Sequence, residues 1–330
     1  MDLKSRPAYQ RGDRAPNFVL PGPGGQMGAF YDAVVARAGL LFVAGVPGNA
    51  EACLPRLAQL ADRGFTVTAL FHCPAEALPP QPEAAALRHF ADPLGKISTA
   101  YGGPGVCVIT DRNLRVLEGF NAGKEGEGLE DLEVPSLPPF TPAPALIVPH
   151  VLEPALCAEL IADWEQDHQE GYVRTAEADP EKGRAIQPDV KRRQDHFLSS
   201  AKNRKIEQIV MRRIAPEVFK AFHFKTGSMQ AFRVGAYLAG RGDFFRPHRD
   251  NSSPQTEHRK FAVTLNLNQD FEGGGLTFPE YGDMIYHTGT GGAVVFSCSL
   301  LHEALPVTKG SRYVLLTFLY ELGGGPKRLL

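Results

Sequence analysis

Cysteine is scarce: Cys53, Cys73, Cys107, Cys157 and Cys298 are all that 330 residues contain, widely spaced and without a CxxC pair. An odd, scattered set excludes a disulfide framework and a thiolate-held zinc module, and it fits a reducing compartment. Long apolar runs are missing too. Nothing approaches the roughly 18 residues that a membrane-crossing helix needs, and the opening MDLKSRPAYQRGDRAP carries charges where a signal peptide carries its apolar stretch. A soluble, cytoplasmic protein with no membrane partner is expected. Neither sign of charge dominates: 35 basic against 37 acidic residues leave a net charge of -2, so no global field points to nucleic acid. With 43% hydrophobic and 22% charged residues the chain has the mix of a folded protein rather than a disordered one. At roughly 150 residues per domain, its length suggests two domains.

The stretch Asn121 to Pro144, NAGKEGEGLEDLEVPSLPPFTPAP, has no helical or strand periodicity and reads as a linker between a domain over 1–120 and another over 145–330. Before it, LLFVAGV (Leu40 to Val46), CLPRLAQLADRG (Cys53 to Gly64) and TVTALFH (Thr66 to His72) form a strand, helix, strand series, hence a βαβ unit. The helix keeps Leu54, Leu57, Leu60 and Ala61 on one face and ends at Gly64, a residue suited to a C-cap. VCVIT and LRVL around Asp-Arg-Asn predict a hairpin. After the linker come two helices, Pro154 to Gln166 and a series through Ile206, Ile209, Val210 and Ile214. Short β-branched and aromatic strands separated by Gly/Pro turns follow, which favours a β-sandwich or jelly roll with helices against one face.

At the end of one of these strands stands His248-Arg249-Asp250. If the backbone stays extended, residues i and i+2 share a face, so an imidazole and a carboxylate converge while Arg249 points away. That is half of a divalent metal site. His302 follows the strand GAVVFSCSLL, and Arg312 opens the strand RYVLLTFLY. There Arg312, Val314, Leu316, Phe318 and Tyr320 share a face, which sets a guanidinium on an apolar wall where it calls for a carboxylate partner. His258 and His287 lie in polar or turn segments and read as surface residues. HTGTGG and Gly273 to Gly275 read as turns, since neither opens a helix.

From about Ala145 to Tyr320 the sequence resembles the prolyl 4-hydroxylase-type Fe(II)/2-oxoglutarate dioxygenases, through ALIVPHVLEPALCAELI, Tyr237, Gly240, Phe245, HRD, FAVTLNLNQDFEGGGLTFPEYG and LLHEALPVTKGSRYVLLTF. The resemblance implies a double-stranded β-helix, the jelly roll of that family. It also implies a facial triad of His248, Asp250 and His302 holding Fe(II), with Arg312 on the distal carboxylate of 2-oxoglutarate and Tyr237 lining the co-substrate pocket. Its chemistry would consume O2 and 2-oxoglutarate, with ascorbate as reductant, to hydroxylate an unidentified small molecule, peptide or protein. Relatives that act on proline often carry Lys where Arg312 stands, so a prolyl substrate does not follow.

From about Arg11 to Phe120 the chain resembles the thioredoxin-like peroxiredoxins, through GDRAPNFVLPG and GVCVITDRNLRVL. This implies an α/β thioredoxin-like fold with Cys53 near the place of a peroxidatic thiol, at the start of a helix. The family's active loop runs Pro, three residues, Thr, two residues, Cys. Here Glu51 and Leu54 occupy those offsets from Pro47, and Cys53 arrives one position early. Cys107, Cys157 and Cys298 read as buried hydrophobes, and Cys73 as a conceivable resolving thiol. Two further readings stay open beside the dioxygenase: a thiol peroxidase using Cys53 with an inert metal domain, and a non-catalytic module that responds to Fe(II) and 2-oxoglutarate. From Lys182 to Arg213 ten basic residues face three acidic ones. Such a run reads as a solvated face, or else as a patch for an acidic partner.

Overall fold

A computed structural model describes residues 7–34, 37–80, 86–138, 141–174 and 184–325. The chain divides into two units, Met1–Thr141 with Glu280–Gly282, and Pro142–Pro279 with Asp283–Leu330.

In the first unit the apolar runs become β1 (Gly39–Gly45) and β2 (Thr66–Phe71), parallel with Leu40 beside Val67, and α1 (Ala50–Arg63) connects them. Every residue of both strands is buried, which fits their mostly apolar and β-branched composition: both faces of the sheet are covered. On one face α1 packs Cys53, Leu57, Leu60 and Ala61 against Leu40, Phe42 and Val67. The other face packs Leu41, Val43 and Leu70 against Phe18, Phe30 and Tyr101. Gly64 ends α1 at φ 118°, a conformation that a side chain would strain, and its N–H reaches the Ala61 carbonyl. Three strands complete the sheet: β3 (Leu87–Ala91) parallel to β2, β4 (Val106–Thr110) antiparallel to β1, and β5 (Val116–Asn121) antiparallel to β4. The order is β3-β2-β1-β4-β5, a mixed α/β sheet.

Beyond β5 the stretch expected as a linker packs Leu129, fully buried, with Leu132 and Leu137 onto the α1 side of this core. The break between units falls after Thr141. Residues 139–140 of that stretch, and Lys182 and Gly183 of the basic run, lie outside the described residues.

The second unit opens with β6 (Ala145–Val148) and α2 (Pro154–Gln166), then β7 (Lys191–Arg192), β8 (Gln194–Phe197), α3 (Ser200–Arg213) and α4 (Ala215–Phe222). Eight further strands are then shared between two sheets. β9 (Arg233–Leu238), β11 (Phe261–Asn266), β14 (Ala293–Ser297) and β16 (Ser311–Tyr320) lie in the large sheet, whose order runs β6-β14-β11-β16-β9-β8 and ends on the short strand Gln169–Glu170. The small sheet holds β10 (Phe244–His248), β12 (Leu276–Thr277), β13 (Ile285–Tyr286) and β15 (His302–Ala304) in the order β7-β10-β15-β12-β13. Strands that cross between two antiparallel sheets make a jelly roll, the double-stranded β-helix expected.

The two-residue period sorts the large sheet's side chains. Val234, Ala236, Val263, Leu265 and Leu315 point outward and pack with Leu160, Trp164, Ile206, Val210 and Val218 of the helices. The alternate residues face the small sheet and line the cavity described next. Among the described residues no helix is long and apolar enough to cross a membrane.

Candidate metal centre

His248 closes β10 and His302 opens β15, directly opposite one another in the antiparallel pair, with ring centroids 4.2 Å apart. The register slips between Phe245 and His248, where Pro247 stands. Proline has no N–H for the ladder, so such a slip is a tolerated place for it. Asp250 lies two residues beyond the strand end, and its N–H donates to the Cys298 carbonyl at 3.0 Å. Its Oδ2 is 3.3 Å from His302 Nε2 and its Oδ1 is 3.6 Å from His248 Nε2. The expected His and Asp convergence is there, although the strand stops at the histidine and a turn carries the aspartate.

Both imidazoles are held in one tautomer by their own neighbours. His248 Nδ1 lies 2.8 Å from the Arg246 carbonyl and His302 Nδ1 lies 3.0 Å from the Leu300 carbonyl. A carbonyl only accepts, so each Nδ1 carries the proton and each Nε2 turns a lone pair toward Asp250. Phe245 stacks on His248 and Phe296 meets His302 edge-on, fixing the ring planes. The three donor atoms lie within 4.8 Å of one another, the one group of its kind among the described residues. Donors on adjacent corners of an octahedron with bonds of about 2.1 Å sit about 3 Å apart, so the set fits a divalent ion with other positions left open.

Protonation favours ligation as well. Burial, then the neighbouring His248, pushes the His302 imidazole down to about 4, so it is neutral at pH 7. Burial alone would raise the Asp250 carboxyl, but His302 and His248 hold it well below the ordinary carboxylate range. A histidine depressed in the folded state is protonated preferentially in the unfolded chain. The metal-free protein should therefore lose stability as pH falls from about 6.5 toward 4, by on the order of 2–4 kcal/mol. Urea midpoints across that window check this, and His302→Gln should flatten the dependence.

Arg312 sits on β16 opposite Tyr237 of β9, buried, with its guanidinium 5.8 Å from the Tyr237 ring centroid. Its Nη2 donates to Asn266 Oδ1 at 3.2 Å, and Asn266 is oriented by donating its own amide to the Thr288 carbonyl. Arg312 Nε has no hydrogen-bond partner, and no carboxylate among the described residues pairs with the side chain. Burial pushes Arg312 down to about 10, the direction expected of a cation that lacks a compensating anion. Gly274 makes room for it: a Cβ there would come 3.2 Å from Arg312 Cδ. The metal group, Tyr237 and Arg312 all line one cavity between the two sheets, together with Phe296 and Phe318.

One charged cluster was not expected. Lys191 and Arg193, taken with the basic run as solvated, are each only 3% exposed. They surround Asp195: Arg193 donates to it through Nε at 2.6 Å and Nη2 at 3.0 Å, and Lys191 Nζ lies 3.4 Å away. Arg193 Nη1 also donates to the Tyr237 hydroxyl at 3.2 Å. Gly235, opposite Asp195, clears the space, since a Cβ would sit 2.9 Å from the Arg193 side chain. The signal was the alternation Lys191, Arg193, Asp195, a charged stripe on one face of an extended segment. The rest of the run behaves as expected, with Lys202 pairing Glu159 and Asp163 on the surface.

His258 meets Gln230 and Tyr320, and His287 lines a separate surface cavity; neither joins the metal group. In the first unit Cys53 is fully buried on α1, and burial pushes its thiol up to about 11. A peroxidatic cysteine needs access and a lowered pKa, so the structure runs against that role on both counts. Cys73, Cys107, Cys157 and Cys298 are buried too.

Residues 230–320 match the model of the 2OG-Fe(II) oxygenase superfamily. The rat multifunctional procollagen lysine hydroxylase and glycosyltransferase LH3 is 26% identical over 215 residues, 63% of this chain and 26% of that protein. A PKHD-type hydroxylase of Idiomarina loihiensis is 26% identical over 137 residues, 41% of this chain and 61% of that one. Human procollagen-lysine,2-oxoglutarate 5-dioxygenase 2 is 33% identical over 113 residues, 32% of this chain and 14% of that protein. The chain thus spans about a quarter of the LH3 proteins it matches.

Proposed function

We propose that the second unit is an Fe(II)- and 2-oxoglutarate-dependent dioxygenase that hydroxylates a C–H bond. The observation that carries this reading is the convergence of His248, Asp250 and His302 at one cavity with both Nε2 atoms free to ligate. The family match over the strands that supply these residues supports it. When bound, Fe(II) would supply the redox chemistry in which O2 and 2-oxoglutarate become succinate and CO2 while the substrate gains a hydroxyl; ascorbate would serve only to return iron oxidised in uncoupled turnovers to Fe(II). The chain positions the reactants and keeps water out. His248, Asp250 and His302 hold the ion on one side. Arg312 offers its uncompensated guanidinium, in a fork suited to a carboxylate, to the far end of 2-oxoglutarate. Tyr237, tied to Arg193 through its hydroxyl, walls that end of the pocket.

Anaerobic addition of Fe(II) and 2-oxoglutarate should produce a visible charge-transfer band, and O2 should then yield succinate. Absence of the band in the wild type would sink the reading, and formation of the band without succinate would favour a non-catalytic responsive module. Arg312→Gln should weaken 2-oxoglutarate binding by about ten- to a hundredfold, the loss of a charged hydrogen-bonded contact, with Fe(II) affinity little changed. Titration of the band measures both.

For the first unit we propose a thioredoxin-like, peroxiredoxin-related module without thiol chemistry. The sheet order, a βαβ unit extended by one parallel strand and an antiparallel hairpin, supports the fold, and the buried Cys53 speaks against peroxide turnover.

A further inference from the structure

Arg233 has no task in the site as described. It stands on β9 four residues before Tyr237, on the same face, opposite Leu316 of β16. That places it about 13 Å along the strand from the level of Tyr237 and Arg312, and it lines the same cavity as the metal group. Three cations, Lys191, Arg193 and Arg233, approach the single carboxylate of Asp195. Arg193 takes both its oxygens and Lys191 approaches Oδ2, whereas Arg233 Nε stays 3.9 Å away, beyond a hydrogen bond. Arg233 Nε is buried without a hydrogen-bond partner, and no hydrogen bond joins its guanidinium to another described residue. It also lies against the ring of Phe318, 5.8 Å away, which Arg259 covers at 3.8 Å, and feels Asp250 at longer range.

The formal charges leave a surplus. Lys191, Arg193, Arg233 and Arg312 face Asp195 and Asp250. Adding a divalent cation and the 2-oxoglutarate dianion changes nothing in the sum. A cation lodged against apolar walls without an anion is costly. Arg312 has its partner in the co-substrate; Arg233, four residues along the strand from Tyr237, has among the described residues only the distant Asp195, already taken by Arg193 and Lys191, and the longer-range pull of Asp250.

We propose that Arg233 receives a carboxylate of the primary substrate, so that the enzyme hydroxylates a carboxylate-bearing molecule anchored at the end of the pocket opposite Arg312. The inference rests on the dioxygenase reading above. The guanidinium fork fits a carboxylate in a bidentate pair, and with the anion fixed there the rest of the substrate lies along Leu316 and Phe318 toward the metal.

Calorimetric titration of the anaerobic Fe(II)/2-oxoglutarate protein with 3-phenylpropionate and with its uncharged amide tests this. The acid should bind at least tenfold more tightly than the amide. Arg233→Gln should remove that preference, leaving amide affinity and the 2-oxoglutarate titration within about twofold of wild type; Arg233→Lys, which keeps the charge, should retain a preference for the acid. Equal affinity for the two probes, or binding of neither, overturns the proposal. So does an Arg233→Gln protein that loses 2-oxoglutarate instead, because Arg233 would then anchor the co-substrate. Should the glutamine variant fail to fold by circular dichroism, the lysine variant decides: loss of acid preference in a folded protein overturns the assignment. If the wild type forms no visible band, the dioxygenase reading has failed, while the acid and amide titrations of the metal-free protein still judge Arg233.

Discussion

Asp250→Ala is expected to abolish the visible Fe(II)/2-oxoglutarate band and to lower succinate formation by about a thousandfold or more. Removing a group that merely orients a metal ligand costs ten- to a hundredfold in metal affinity or activity, and Asp250 would itself be a ligand, the one anionic donor of the three. Without it, two neutral imidazoles remain to hold a hard divalent ion. The variant should still fold, because Asp250 lies past the end of β10 and its backbone bond to Cys298 survives the substitution. Far-UV circular dichroism should match the wild type while Fe(II) no longer titrates. His302→Ala should behave alike, with an added cost for the space left beside Phe296. A band of undiminished intensity in either variant would show that the iron binds elsewhere.

The parts of this arrangement that were legible in the sequence are those written in short periods. The βαβ unit and the helix Pro154–Gln166 follow from runs and spacings whose boundaries the backbone honours within a few residues. The metal group was legible because a jelly roll brings the end of β10 against the start of β15, so two histidines 54 positions apart become cross-strand neighbours. Spacing alone did not say so; the family resemblance did. Lys191 and Arg193 were misread because composition averages over a run, whereas burial follows the alternation of one extended segment against Asp195 and Gly235. The segment after β5 was misleading in a related way. Its prolines, glycines and acids say linker, yet three leucines among them are enough to dock it on the sheet. Cys53 was placed by motif at a helix start, but the helix begins three residues earlier and its first turn turns the thiol into the core.

Asp195→Ala is expected to destabilise the second unit strongly. Asp195 is 2% exposed. Burial alone would raise its carboxyl, but Arg193 and Lys191 hold it well below the ordinary range, so it is ionised throughout the neutral region. Truncation leaves the Arg193 and Lys191 cations buried without their counter-ion, and Arg233 loses the carboxylate 3.9 Å from its Nε. Breaking a buried pair by removing one partner costs about 3–5 kcal/mol, since the remaining charge stays desolvated. For a unit of this size that corresponds to a fall of roughly 6–20 °C in Tm. The exposed pair Glu272 and Lys309 provides the contrast: Glu272→Ala should cost no more than about 1 kcal/mol. Because Arg193 also holds the Tyr237 hydroxyl, Asp195→Ala should weaken 2-oxoglutarate binding even at temperatures where the protein stays folded. Thermal unfolding separates the two effects from titrations made below the transition. A variant as stable as the wild type would mean that Lys191 and Arg193 reach water or discharge when the carboxylate is gone.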